Sequence, residues 1–351
     1  MHTKYSKHDI KRWHLELHPD VVKESATNSF PHPIKHAFHP THANLTHTHG
    51  GEVRTQKWTS RHHRKHRHVQ VSPRTNKKRH ETTLLRKIAR LRKIEYWNIS
   101  WWVATSFTLG SIIWVVNGFA SWLPLVNSHF GVSLVSTGVT AFIGATIFEF
   151  GSICGMWEAW NRDDCASFGW AVHHSHDEER MEIKREEVEV AVVQRGGKKR
   201  WIWFTLNRKY WRELGFLAAF CQFWGATIFW ISGFTALPSI QEGLLSRNGV
   251  RDGVFWTPQV VGGSGFIISS TFIMLESQHR WYKPELRSLG WNIGFWNLIG
   301  GIGFTLCGAL GYGSASKSGV LYQSSLCTFW GSWAFLIGSV LQWYESVNGV
   351  Q

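Results

Sequence analysis

From Ile99 onward the chain alternates long apolar blocks with short polar segments, whereas residues 1–96 contain no apolar block of comparable length. Six blocks reach the length of about 20 residues that a helix needs to cross a hydrocarbon core of about 30 Å. They cover roughly 99–123, 135–157, 215–237, 254–275, 289–312 and 320–344, and their only Asp, Glu, Lys or Arg is Glu149. A soluble helix of this length would show a polar face. The pattern therefore predicts an all-α, polytopic membrane bundle of six transmembrane helices.

The second, fourth and sixth blocks align without a gap over 144–159, 262–277 and 331–346. A glycine starts each copy, a phenylalanine follows four residues later, and a glutamate stands fourteen residues after the glycine. The other three blocks align less tightly over 110–119, 225–234 and 300–309, with glycine at the first and ninth positions. We therefore predict three tandem two-helix repeats, which enter the membrane in the same sense. The repeats are 97–160, 211–278 and 288–347 in a membrane domain of residues 97–347, with a cytosolic insertion at 161–210.

Small residues recur seven positions apart in the aligned blocks, which places them near one face of each helix. Small side chains let helix backbones approach closely where lipid supplies no hydrophobic drive. We therefore predict helix packing, rather than a ligand path, for a stripe of six residues: Gly144, Gly151, Gly262, Ser269, Gly331 and Gly338.

The repeated glutamates fall at the cytosolic C-termini of the predicted helices, where the helix dipole disfavours an anion. Two of them have an arginine four residues later, a favourable spacing for an ion pair on a helix. These pairs are Glu158 with Arg162 and Glu276 with Arg280, whereas Glu345 has no such neighbour. We interpret the three glutamates as interface anchors, with a proton or cation relay as the alternative.

Glu149 differs from the repeated acids because the aligned copies carry Ile267 and Leu336 at its position. An ionisable group at mid-span is costly and is a candidate functional residue. It could equally be a protonated glutamate that hydrogen-bonds a polar neighbour. The candidate partners are Gln222, Asn117 and Asn297, and both interpretations stay open.

The N-terminal tail carries the whole excess charge of the chain. Residues 1–96 hold 21 Lys+Arg against 7 Asp+Glu and 15 of the 20 histidines, and the rest of the chain is neutral. Residues 1–80 are too polar to bury a core and are predicted to be a disordered, His-rich cytosolic tail. Residues 81–96 predict a basic amphipathic helix on anionic inner-leaflet lipids. The tail could also bind protein partners, and its tether to a membrane argues against nucleic acid.

Charge also predicts the orientation. If the tail is cytosolic, the outer loops 124–134, 238–253 and 313–319 contain only Arg247, Arg251 and Lys317 of the 38 Lys+Arg. This asymmetry follows the positive-inside rule at every loop. Both termini are therefore predicted to be cytosolic.

The sequence offers little for catalysis or metal binding. The five cysteines form no CxxC motif, so no zinc cluster or disulfide framework is expected. Histidines crowd in 62–68 and 173–176, but the dense charge beside them disfavours a structural metal site, so we predict neither a metal site nor a cofactor. No Walker, GxSxG, HExxH or dinucleotide motif occurs, and an enzyme is not favoured.

Two segments carry a family resemblance. The segments GATIFWISGFTALP (225–238) and FWGSWAFLIGSVLQWYES (329–346) resemble an uncharacterised fungal family of multi-pass integral membrane proteins. The second is also similar, more weakly, to the YrhK-like membrane domain. The resemblance implies a eukaryotic endomembrane or plasma membrane location and no particular activity.

Three functional hypotheses follow from these patterns. The first is a non-enzymatic membrane scaffold or organiser that works through its basic tail. The alternative is a transporter or channel for a small solute or ion that uses Glu149 and the interface between repeats. A membrane enzyme is the third.

Overall fold

The computed structural model describes residues 21–49, 52–65, 84–162, 165, 168 and 201–348. The histidines at 66–68 and 173–176 lie outside these residues, and so does most of the cytosolic insertion predicted at 161–210.

The described part of the tail forms a small antiparallel sheet in the order β1-β2-β3. Its elements are β1 (Val21–Thr27), α1 (His32–Lys35), β2 (His42–His49) and β3 (Glu52–Thr59). The short helix α2 (Ser60–Arg64) follows β3 directly. Thr59 caps it, because its side chain accepts a hydrogen bond from the backbone N–H of His62 at 3.3 Å.

This sheet corrects the prediction of disorder for the described residues between 26 and 65. A polar segment cannot bury enough apolar surface to fold by itself, but this segment docks on the membrane domain and packs against its surface. The backbone N–H of Trp281 donates to Ser29 O at 2.8 Å, and that of His39 donates to Arg212 O at 2.7 Å. Residues 1–20, 50–51 and 66–80 of the predicted tail lie outside the described residues.

The predicted amphipathic helix is shorter in the structure than 81–96. Helix α3 (Leu84–Ala89) continues as a 3-10 turn, Arg90–Arg92, and the backbone is extended at Lys93. A new helix begins at Ile99, and its cap Asn98 is also extended while its side chain accepts from Ser100 N–H at 3.0 Å. Because an N-cap residue needs this non-helical backbone, the two helices cannot be continuous.

Six helices of the described chain are long and apolar enough to cross a membrane, as predicted. They are α4 (Ile99–Val126), α5 (Leu134–Trp160), α6 (Leu214–Thr235), α8 (Asn248–Ser277), α9 (Leu289–Gly311) and α10 (Ser318–Val347). A short helix α7 (Pro238–Leu244) precedes α8, and α8 starts earlier than predicted because its first turns include a π-helical segment, Asp252–Trp256.

The six helices form a closed ring in chain order. Each packs against its neighbour in sequence, and α10 packs against α4 to complete the circle. The helices therefore make three hairpins, α4–α5, α6–α8 and α9–α10, around a common axis. Apolar side chains such as Leu109, Val116 and Ile268 stay exposed on the outside, as expected for a surface that faces lipid.

Two layers of aromatic rings fill the centre of the ring. The aligned phenylalanines of α5, α8 and α10, Phe148, Phe266 and Phe335, form one triangle with centroids 5.6 to 6.4 Å apart. The fifth positions of the other aligned segments, Trp114, Phe229 and Phe304, form a second triangle at 4.9 to 5.6 Å. Most of these pairs meet edge to face, the favoured aromatic geometry. The axis is therefore closed at this level.

Candidate functional site: an ion-pair cluster on the bundle axis

The three repeated glutamates meet at one end of the ring, which we call the tail end because the tail docks there. Glu158, Glu276 and Glu345 come from the ends of α5, α8 and α10 and are all at least nine-tenths buried. Three carboxylates this close would repel one another strongly unless cations compensated them.

The cations come from α2 and the residue after it. Two nitrogens of the Arg61 guanidinium donate to the two carboxylate oxygens of Glu345, Nε to Oε1 at 2.8 Å and Nη2 to Oε2 at 2.7 Å. Arg64 makes a similar two-bond contact with Glu276, from Nη1 to Oε1 at 2.6 Å and from Nη2 to Oε2 at 3.0 Å. Such forked arginine–carboxylate pairs are the strong class of charge-assisted hydrogen bond.

Three further contacts complete the cluster. Nε of Arg64 lies 3.4 Å from Glu158 Oε1, and Nζ of Lys65 lies 3.1 Å from Glu345 Oε2. The hydroxyl of Ser60 donates to Glu276 Oε1 at 2.8 Å. Three cations thus face three carboxylates, and the cluster is neutral as a whole.

This cluster corrects the local partners that helix spacing predicts for the glutamates. Arg162 pairs with Glu213 at 2.6 Å instead of Glu158. Arg280 is on the surface and donates to the hydroxyl of Tyr282 at 2.8 Å instead of pairing with Glu276. The spacing rule describes an isolated helix. Here α2 brings arginines into the buried space, and the surface arginines point elsewhere.

Two glycines make room for the arginines. A Cβ at Gly215, near the start of α6, would overlap Nη1 of Arg64. A Cβ at Gly290, at the same place in α9, would lie 2.7 Å from both Cδ and Nε of Arg61. The backbone of the second and third hairpins is thus shaped around the two guanidinium groups.

The two arginines are held as cations. Burial alone would lower the pKa of Arg64, but the charges of Glu276 and Glu158 outweigh burial and raise the pKa above its usual range. The same balance, with Glu345 as the main partner, raises the pKa of Arg61. The ion pairs therefore persist over the whole range of physiological pH.

A cavity of about 80 Å³ lies between the cluster and the first aromatic layer. Its floor is Arg61, Arg64, Lys65 and Glu158, and its roof is Phe148 with Phe335. Polar groups line its wall, among them Gln222, Asn297 and Gln342. The volume is enough for a few water molecules or a small polar solute, at about 30 Å³ per water.

Glu158 is the incompletely paired member of the cluster. Its Oε2 is buried and has no hydrogen-bond partner among the described residues, whereas each of the other two carboxylates binds an arginine fork. One carboxylate oxygen on the floor of the cavity is therefore left to accept a further hydrogen bond.

A second cavity, of about 140 Å³, lies beyond the other aromatic layer at the far end of the ring. Trp114 borders it, and polar residues from several helices line it, including Asn117, Gln259 and Thr328. The amide of Asn117 donates to Thr137 O at 2.7 Å and to Thr140 Oγ1 at 2.9 Å. The axis thus carries, in order, the ion cluster, a polar cavity, two aromatic layers and a second polar cavity.

Glu149 lies off this axis, half-buried between α5 and α6. Its Oε1 accepts from the hydroxyl of Thr227 at 2.9 Å, and its Oε2 from Ser152 at 3.3 Å. The candidate partners named from the sequence lie elsewhere: Gln222 and Asn297 line the tail-end cavity, and Asn117 lines the far cavity. Two hydroxyls take their place, that of Thr227 on the neighbouring helix α6 and that of Ser152, which follows Glu149 by three residues on α5.

The stripe of small residues lies between the two helices of each hairpin. A Cβ at Gly144 would lie 2.8 Å from Trp114 Nε1, one at Gly262 2.6 Å from Gly225 O, and one at Gly331 3.2 Å from Gly303 Cα. Further along the helices, a Cβ at Gly151 would lie 3.2 Å from Ser106 Cβ, and one at Gly338 2.6 Å from Asn297 Oδ1. The hydroxyl of Ser269 donates to Ala218 O at 2.7 Å.

The site residues that the sequence did not single out are Arg61, Arg64 and Lys65. They lie at the start of a basic segment, residues 61–80, in which nothing in the sequence distinguishes them from the other Lys and Arg residues. One signal was present: Glu345 lacks a cation four residues later, so its partner had to come from a distant segment.

The described residues contain no group of three or more His, Cys, Asp or Glu side chains that could hold a metal ion. Comparison with known proteins adds no further assignment, because no family model, no curated protein and no solved structure matches this chain.

Proposed function

We propose that this multi-pass membrane protein transports a small cationic solute along the axis of its helical ring. The observation that carries the proposal is the order of groups on that axis. Two polar cavities flank a pair of aromatic layers, and three buried carboxylates stand at the tail end. In the present conformation the aromatic layers and the docked tail close the path.

The cost of the buried charges supports transport over a purely architectural role. Taking ions out of water costs several kcal/mol each, and an apolar core of equal volume is often as stable as a buried ion pair or more so. A scaffold would gain nothing from charges on its axis. A path for a cation needs carboxylates there, and ionisable groups in membrane bundles commonly mark such paths.

We infer that the tail end faces the cytosol. The segments at that end hold 35 of the 38 Lys+Arg, since the loops at the far end contain only Arg247, Arg251 and Lys317. The positive-inside rule then places both termini on the cytosolic side. The solute would pass between the cytosol and the far side of the membrane.

The second candidate function is a membrane organiser, and α3 favours it. Leu84, Leu85 and Ile88 are exposed on this helix, and so is Ile94 beyond it, among five Lys and Arg residues between 86 and 93. Apolar side chains with basic neighbours suit the surface of an anionic leaflet. Both functions can coexist, because α3 does not contribute to the axis.

Flux into proteoliposomes tests the transport proposal. Full-length protein is reconstituted, and uptake of [14C]guanidinium, [14C]methylammonium and 86Rb+ is measured for the wild type and for a Gly215→Ala/Gly290→Ala variant, which should release the tail. We expect at least one probe to enter faster than into protein-free liposomes.

A matched pair of substitutions locates the path. Gln222→Phe fills the tail-end cavity and should reduce the flux about tenfold or more, because this cavity lies on the proposed path along the axis. Gln323→Phe makes the same change at an exposed position of α10 and should leave flux unchanged. The proposal fails if no probe enters in either background, or if both substitutions act alike.

A further inference from the structure

We propose that Arg61, Arg64 and Lys65 occupy the binding site of a guanidinium- or amine-bearing solute, so that the docked tail is a tethered competitor of that solute. The role in transport rests on the proposed function, but the site and the competition do not. The argument starts from how closely the acids fit the arginines.

The carboxylates of Glu276 and Glu345 are arranged for planar, forked donors. Each meets two nitrogens of one guanidinium at 2.6 to 3.0 Å. Gly215 and Gly290 leave space beside those groups that any side chain would fill. A spherical alkali cation would use neither the fork geometry nor this flat clearance, whereas a guanidinium uses both.

The charges within the cluster are unevenly distributed. Glu345 faces two cations, Arg61 and Lys65, whereas Glu276 and Glu158 share Arg64. The side near Glu158 therefore carries a local negative excess. Its Oε2 is buried and has no hydrogen-bond partner among the described residues, and Glu158 lines the cavity together with Gln222 and Asn297. This is where the ammonium or guanidinium of a solute would first bind.

The tail can leave without dismantling the ring. Within the described part of the tail, only the turn from Ser60 to Lys65 enters the axis, and the sheet behind it is held by contacts to two loops. These include the His39 and Trp281 backbone bonds and two bonds from the Arg212 guanidinium to His36 O and Ala37 O. No membrane helix begins in this segment. Release of the tail would expose three carboxylates that no longer have cations, and the free energy of binding a cationic solute would offset that cost.

A tethered ligand competes at an effective concentration that is commonly in the millimolar range for short linkers. A free solute that binds the acids as tightly as the untethered tail segment would must therefore reach roughly millimolar concentration to displace the tail. Regulation at the tail end follows directly: a high solute concentration displaces the tail from the path, and a low concentration lets the tail return.

Cys165 provides a reporter for docking in the unmodified chain. Its thiol is buried and contacts the backbone carbonyl of Arg64 at 2.9 Å. Burial, with a further contribution from Glu158, raises its pKa well above the usual range, so the docked form should react slowly. Undocking removes its cover and should speed modification.

The test measures modification of Cys165 by 4,4′-dithiodipyridine, with residue-specific mass spectrometry to separate it from the other four cysteines. Full-length protein in micelles is titrated with agmatine or methylguanidinium at constant ionic strength. Tetramethylammonium, a cation without an N–H donor, is the control. We expect the first two to raise the rate about tenfold with millimolar midpoints, and the control to change it less than twofold.

Two variants complete the design. Arg64→Gln should raise the rate without any solute, whereas Lys57→Gln, an equal charge loss at an exposed position, should not. The proposal is overturned if agmatine has no effect, if tetramethylammonium acts equally, or if Arg64→Gln leaves Cys165 protected. Competition without flux would retain the site and reject transport, and flux without competition would do the reverse.

Discussion

At the scale of single residues, the most informative positions are the glycines that face the arginines. No residue with a side chain fits at position 215 in this conformation, because the Nη1 atom of Arg64 occupies the place that a Cβ on Gly215 would take. An added methyl group must move a guanidinium that is pinned by two carboxylates. The space beside a functional cation is thus part of the site.

We expect Gly215→Ala to weaken docking of the tail by about 1–3 kcal/mol, the usual cost of overpacking. Modification of Cys165 should then accelerate on the order of tenfold or more. Gly243→Ala in α7 is the control, because a Cβ there meets nothing within 4 Å and the residue does not line the tail-end cavity. Equal protection of Cys165 in both variants would contradict the structural role assigned to Gly215.

Glu149 tests whether the path follows the axis or a route between hairpins. Because it lies between α5 and α6 and does not line the axial cavities, we expect Glu149→Gln to change the flux less than about twofold. The amide oxygen can still accept the hydrogen bond from Thr227. If this substitution abolished uptake while Gln222→Phe did not, the axial path would be wrong.

At the scale of elements, the tail sheet links docking to pH through His42 on β2. Burial, followed by the nearby rings of His279 and His62, lowers the pKa of His42 to about 4, although Glu276 acts in the opposite direction. An undocked tail would return this group to about 6.5. Between these values the docked form binds fewer protons, so docking weakens as the pH falls from about 6.5 towards 4 and is unaffected above that window.

The expected result is faster Cys165 modification at pH 5 than at pH 7, relative to a His42→Gln variant measured at each pH. The ratio to this variant removes the pH dependence of the thiol reaction itself. The ratio can change by at most about tenfold per pH unit for one proton. A constant ratio across the window would show that His42 does not control docking.

At the scale of the whole molecule, hydropathy alone predicts the six helices because a membrane imposes the same length and polarity on each. The partners of the three glutamates could not be predicted in this way. Helix spacing assigns Arg162 to Glu158 and Arg280 to Glu276, but the fold brings in Arg61 and Arg64 from far away in sequence. The spacing of charges along one helix cannot predict a partner that comes near only when the ring of helices has closed.

The order of the tail also could not be predicted from the sequence, but for a different reason. Its composition correctly indicates that it cannot form its own core, yet Trp58 and Ala43 are buried once it lies on the bundle. Order in the described part of this segment is a property of the assembled molecule.

Because Arg61 and Glu345 form an ion pair although they lie far apart in the sequence, their separation sets the order of events during synthesis. Arg61 is made 284 residues before its partner Glu345. At about 5–20 residues per second, the arginine waits on the order of 15 to 60 s before the glutamate exists. The ring must close first, with its acids still uncovered at the tail end. Insertion of the tail therefore follows the synthesis of α10, and it reports that the six described membrane helices have been made and placed.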